Sequence, residues 1–146
     1  MTNYSNRKTE IDSYYKAYEK IYEKNANELS KDDRYAYAEK ILSSTFAVND
    51  DSIENVYKKV VLLNSLYSTN IYATFEVALN IVNIQDFRSR VGYGDISLVD
   101  EIRSNIIGDS IKDFYSFATK YCHHHNPTAY PIYDSYVSEI LVDYLR

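Results

Sequence analysis

The chain has 146 residues, 45% of them hydrophobic, with 3 Gly, 2 Pro, 17 Tyr, no Trp and a formal charge of −5. That length suits one domain with a real core, and so few turn residues exclude a fold of many short strands. The acidic balance excludes the whole-domain basic field typical of nucleic-acid binders, while a local basic patch remains compatible with it.

Residues 1–8 are polar and read as a frayed end; 9–146 read as a single all-α domain of about seven helices. From Ile11, apolar residues three or four apart (Tyr14, Tyr15, Tyr18, Ile21, Tyr22) predict a first amphipathic helix. Ser30 with Asp33 three positions on predicts a helix start, and the helix runs to about Thr45. Asp51-Ser52-Ile53-Glu54 predicts the next start. The stretch Ile53–Leu66 becomes apolar nearly all round and reads as a central buried helix. Ser68-Thr69-Asn70 interrupts, and a further helix is expected from Ile71 to about Ile84.

Arg88 to Asp95, with Gly92 and Gly94, reads as a loop. Ile96–Ile107 reads as helix ended by Gly108, and Ile111–His124 as the next, stopped by Asn126 and Pro127. A last helix is expected from about Tyr133 to Leu145. It carries Val137, Ile140, Leu141 and Tyr144, so it either packs as the final layer or belongs to a shortened version of a longer ancestor. No strand is expected. Most tyrosines read as boundary residues, ring inward and hydroxyl wet. The lone Cys122 cannot form an internal disulfide, which fits a reducing cytoplasm. No apolar run approaches the roughly 20 residues of a membrane span, and the polar first residues do not read as a secretory signal.

Two polar islands are candidates for chemistry. The first is Asn64-Ser65-Leu66-Tyr67-Ser68-Thr69-Asn70, polar groups inside the most apolar part of the chain, which either cap a helix joint or line a cleft. The second runs from Lys120 through Cys122, His123, His124 and His125 to Tyr133 and Asp134. Three consecutive histidines point about 100° apart on a helix and cannot share one metal, so no metal or cofactor is expected. Asp134 reads either as a first-turn or capping carboxylate of the last helix, or as an ionised group beside a cleft that stabilises a cation or activates water. No phosphate-binding Gly-rich loop and no nucleophile elbow is present.

At these islands the chain resembles the helix-hairpin-helix DNA glycosylase superfamily, the group that includes the 8-oxoguanine glycosylases. Leu62–Ile71 resembles the Ser/Asn-rich turn that enters that family's base pocket. Phe114–Lys120 and Tyr130-Pro131-Ile132-Tyr133-Asp134-Ser135 resemble the helix and Pro-x-Asp box that follow. The resemblance covers about Ile53–Leu145, and the family's Gly-rich hairpin is absent at its expected place, Asn105–Asp109. It implies an all-helical, DNA-glycosylase-like core. It also implies a protein that binds or excises a modified base in DNA, with the base flipped into a pocket. Asp134 would match the catalytic carboxylate, and Lys112 or Lys120 the catalytic lysine. Asn64, Tyr67, Ser68, Asn70, His123 and Tyr133 would touch the base, and Lys58, Lys59, Arg88, Arg90, Lys112 and Lys120 would form a basic track. The alternative is a non-catalytic member of the same fold that binds a nucleotide, a protein partner or its own copy through Tyr-rich surface, for example in phage defence or counter-defence. The missing hairpin and the acidic balance favour it. No membrane partner is expected.

Overall fold

Capping chemistry sets where three of the helices begin, at Ser30, Ser52 and Asp134. The structure, a computed structural model, describes residues 13, 16, 20 and 23–146. The frayed end and every residue of the stripe expected over 11–22 lie outside the described residues. The chain divides into two units, Met1–Ile41 and Leu42–Arg146.

In the first unit Ala26–Glu28 forms a short 3-10 turn. Ser30 and Asp33 then close the expected capping box. The Asp33 N–H donates to Ser30 Oγ at 3.2 Å, and the Ser30 N–H donates to Asp33 Oδ2 at 2.8 Å. Helix α1 follows, Lys31–Phe46, and its last residues from Leu42 belong to the second unit.

The second unit is predominantly helical, as expected, and holds the apolar core. Helix α2, Ile53–Tyr67, starts at Ser52 rather than Asp51: Ser52 Oγ accepts from the Asn55 N–H. It is amphipathic, not apolar all round. Val56, Lys59, Val60 and Leu63 are buried, whereas Val61 and Leu66 are exposed. Its buried stripe packs on α3, Thr74–Val82, through Val77, Ala78 and Ile81. The stretch expected as a loop contains α4, Phe87–Gly92, because Phe87 and Val91 stand one turn apart and both reach the core. Helix α5, Ser97–Arg103, buries Leu98 and Ile102 against α6, Tyr115–His125.

The largest departure from expectation lies between α5 and α6. Where two helices were predicted to meet at Gly108, β1 (Ser104–Ile107) and β2 (Ser110–Asp113) form an antiparallel hairpin in the register Ser104↔Asp113, Ile107↔Ser110. Gly108 takes φ +61 at the first central position of a two-residue turn, where a type II′ hairpin calls for glycine. The β-branched pair Ile106 and Ile111 faces across the strands. Asn105 ends α5 by donating from Nδ2 to the Ile102 carbonyl at 2.8 Å. The ladder takes over the backbone groups that a continued helix would have used.

The α6 end follows the sequence closely. The Asn126 N–H donates to the Cys122 carbonyl, and Asn126 Nδ2 donates to the Val91 carbonyl at 2.9 Å. Gly94, at φ +78, lets that loop close on the molecule, since a Cβ there would meet Ala129 Cβ at 2.9 Å. Helix α7, Ser135–Leu145, completes the described chain. Among the described residues no helix is long and apolar enough to cross a membrane.

Candidate functional site

Helix α6 buries six consecutive residues, Phe117 to Cys122, and one of them is a lysine. Lys120 is 3% exposed. Its Nζ donates to Ser116 Oγ at 2.6 Å and stands over the Tyr67 ring, 5.3 Å from the centroid. Burial lowers its pKa, and the negative charge of Asp134 acts in the opposite direction. The amine therefore sits in a neutral shell, with a carboxylate close enough to be felt but not hydrogen-bonded to it.

Tyr67, the last residue of α2, closes the other side. Its hydroxyl lies 2.9 Å from His124 Nε2. Burial, together with the positive charges of His123 and Lys120, holds His124 down to about 4, so it is a neutral ring at physiological pH. Ser116, Lys120 and His124 follow one another at four-residue intervals and share one helix face.

The carboxylate reaches this corner through the loop after α6. His123 Nδ1 donates to the Tyr130 carbonyl at 2.7 Å, and Tyr130 donates its hydroxyl to the Asp95 carbonyl at 2.8 Å. Thr119 Oγ1 accepts from the Tyr133 N–H at 3.2 Å and donates to the Ser116 carbonyl at 2.9 Å. The Tyr133 ring packs on Tyr115, centroids 5.2 Å apart. Asp134, the next residue, is the N-cap of α7 and accepts from the Val137 N–H at 3.0 Å. Its capping duty and its place beside Lys120 coexist, because one carboxylate oxygen is engaged by the cap.

The sequence-derived residues divide. Lys120, Tyr67, His123, Tyr133 and Asp134 gather on or beside α6. Asn64 does backbone work instead. Its Oδ1 accepts from the Ile71 N–H at 2.9 Å and from Thr69 Oγ1 at 2.8 Å, while its Nδ2 donates to the Ile71 carbonyl at 2.9 Å. Ser68 and Asn70 are exposed residues at φ 51 and φ 58, the left-handed corners of that same bend. Lys112 was expected on a helix; it stands exposed on β2 opposite Asn105. Sequence reasoning missed Ser116 and Thr119, and named His124 only as a member of the second polar island without a role. The four-residue spacing around Lys120 was the signal that could have found Ser116 and His124.

The expected basic track is largely neutralised. Lys58 pairs with Glu54, Arg88 with Asp51 through two hydrogen bonds, and Arg90 with Asp95 and Glu101. Lys59 is not at the surface: it is fully buried on the α2 stripe, donating to the Val48 carbonyl at 3.3 Å. A hollow of about 440 Å³ lined by Asn80, Asn83, Ile84, Gln85, Arg90 and Glu101 shares no residue with the Lys120 corner. Among the described residues no three His, Cys, Asp or Glu side chains converge as a metal site would require.

A family model named HI_0787_N, described as an N-terminal domain, matches residues 10–129. The chain belongs to this family. An uncharacterized protein of Haemophilus influenzae is 48% identical over 101 residues. That alignment takes in 69% of the chain and 50% of the relative, so the chain spans about half the length of the curated relative it matches. The match to the HI_0787_N model includes α6 with Lys120 and ends before Asp134 and α7. No solved structure matches the chain.

Proposed function

We propose that the α6–α7 corner is the catalytic site of a glycosylase-like enzyme acting on a modified base in DNA, in the cytoplasm. Lys120 is its amine nucleophile and Asp134 the carboxylate that stabilises positive charge on the sugar. One observation carries this reading: a lysine 3% exposed, its pKa lowered by burial, lies within the electrostatic reach of a helix-capping carboxylate. Lys120 meets a hydroxyl and an aromatic face rather than a carboxylate.

In the proposed step the unprotonated amine nitrogen of Lys120 bonds to the sugar C1′. The C1′–N bond to the base breaks, and the base leaves with the bonding pair and takes up a proton. Opening of the sugar ring converts the adduct to a protonated imine, and water returns the free lysine. Tyr67 and Tyr133 offer aromatic faces to an extruded base. The test is borohydride trapping of the whole chain on duplex oligonucleotides carrying 8-oxoguanine or an abasic site, at low salt. A covalent adduct is expected with the native chain and with Lys112→Met, absent with Lys120→Met, and at least tenfold weaker with Asp134→Asn. Absence of both adduct and DNA binding in the native chain overturns the reading.

The pairing of Lys58, Arg88 and Arg90 with acids favours the second reading, a binding protein on the same fold, because those cations are not free for phosphates. In that case Lys120→Met leaves every measured interaction unchanged.

A further inference from the structure

Helix α7 is the one helix of the second unit that buries none of its own residues, although it is strongly apolar. At 100° per residue, Tyr136, Val137, Ile140, Leu141, Tyr144 and Leu145 fall on one half of the helix, with Ser135, Ser138, Glu139 and Asp143 on the other, where Val142 is the one apolar residue. Tyr136, Ile140, Tyr144 and Leu145 are each at least two-thirds exposed, and no described element packs extensively against α7. Eleven residues are too few for a helix to be stable alone in water, so this one needs a covering surface. A contiguous apolar patch of this kind marks an interaction site.

The family match and the longer relative suggest an occupant for it. The matched family is described as an N-terminal domain, its match on this chain stops at residue 129, six residues before α7, and half of the curated relative lies outside its alignment with this chain. We propose that the apolar half of α7 is the docking face for the C-terminal half of these longer relatives, whether joined to the same chain or supplied separately. The chemistry that fits is a groove with an aliphatic and aromatic floor, its rim carrying basic groups to meet Glu139 and Asp143. Asp134 caps α7, so docking would also hold that carboxylate in place, but the inference stands without the lysine chemistry.

The test joins the non-aligned half of the Haemophilus influenzae relative to the whole chain after Arg146 and follows amide hydrogen exchange. In the unextended chain the α7 amides should exchange nearly unprotected. In the extended chain they should slow at least tenfold, with Tyr136 and Tyr144 losing reactivity to nitration, and Ile140→Asp should abolish both effects. The same substitution in the unextended chain should leave its unfolding midpoint unchanged, which separates lost docking from lost folding. Two results overturn the proposal: α7 amides that exchange as fast with the added half as without it, and protection of α7 in the unextended chain that rises with its own concentration. The second result would assign the face to a second copy.

Discussion

Helices α6 and α7 are each eleven residues long and have opposite fates. The first carries a serine, a threonine, a lysine and three histidines, yet six of its residues in a row are buried. The second carries seven tyrosine or aliphatic side chains and buries none. Local hydrophobicity would rank them the other way. What differs is the surroundings. Helix α6 runs between α2 and α5, and the Lys120 amine and Thr119 hydroxyl it takes inside each meet a nearby oxygen, whereas His125 Nε2 is buried without a hydrogen-bond partner. Helix α7 meets no such walls. Burial is a property of neighbours, and a short helix acquires it only where other elements already stand.

The contrast can be broken most directly by cavity formation. Phe117 is 1% exposed and stacks on Tyr121, so Phe117→Ala should cost about 3–5 kcal/mol, read as a fall in the urea midpoint at constant slope. A loss below about 1 kcal/mol would mean that α6 is not the centre of the core.

A smaller effect comes from the neutral histidines of α6. Burial holds His125 down to about 3 and His124 to about 4, against 6.5 in the unfolded chain. Below pH 6.5 the unfolded state therefore takes up protons that the folded state refuses. Stability should fall as pH drops, by at most about 1.4 kcal/mol per pH unit for each histidine. The fall should continue to about pH 4 for His124 and about pH 3 for His125. His125→Phe should make the slope between pH 6 and 4 shallower, as measured by chemical denaturation across that range; an unchanged slope would show that His125 is charged in the folded state.

The smallest effect should be at α7. Leu141→Ala removes as much hydrocarbon as many core substitutions, yet in the unextended chain it should change stability by less than about 0.5 kcal/mol. A cost of 2 kcal/mol would mean that α7 is covered in solution and would erase the contrast.

Much of this was legible before any coordinates. The Ser30–Asp33 start, the break at Ser68, the stop at Asn126 and the amphipathic character of the last helix are local effects. Each depends on backbone groups within a few residues of the side chain that satisfies them. The hairpin at Ser104–Asp113 escaped because Asn-Ile-Ile-Gly satisfies a helix end as readily as a strand and turn, and only the Ile106–Ile111 pairing separates the two. Half of the candidate site was legible as well, in that Asp134 and Lys120 stood out as residue types at plausible positions.

Sequence alone determined the helical class and the capped starts at Ser30 and Ser52, because these follow from periodicity and capping along a few turns of chain. Tertiary structure alone decided that Lys120 and Lys59 are buried amines while Lys112 is a solvated one. It likewise decided that Asn64 braces a bend, that Tyr67 reaches His124, and that the apolar half of α7 is left facing water. Those outcomes turn on which groups desolvate one another across long sequence separations, and desolvation has no signature in the order of residues along a chain.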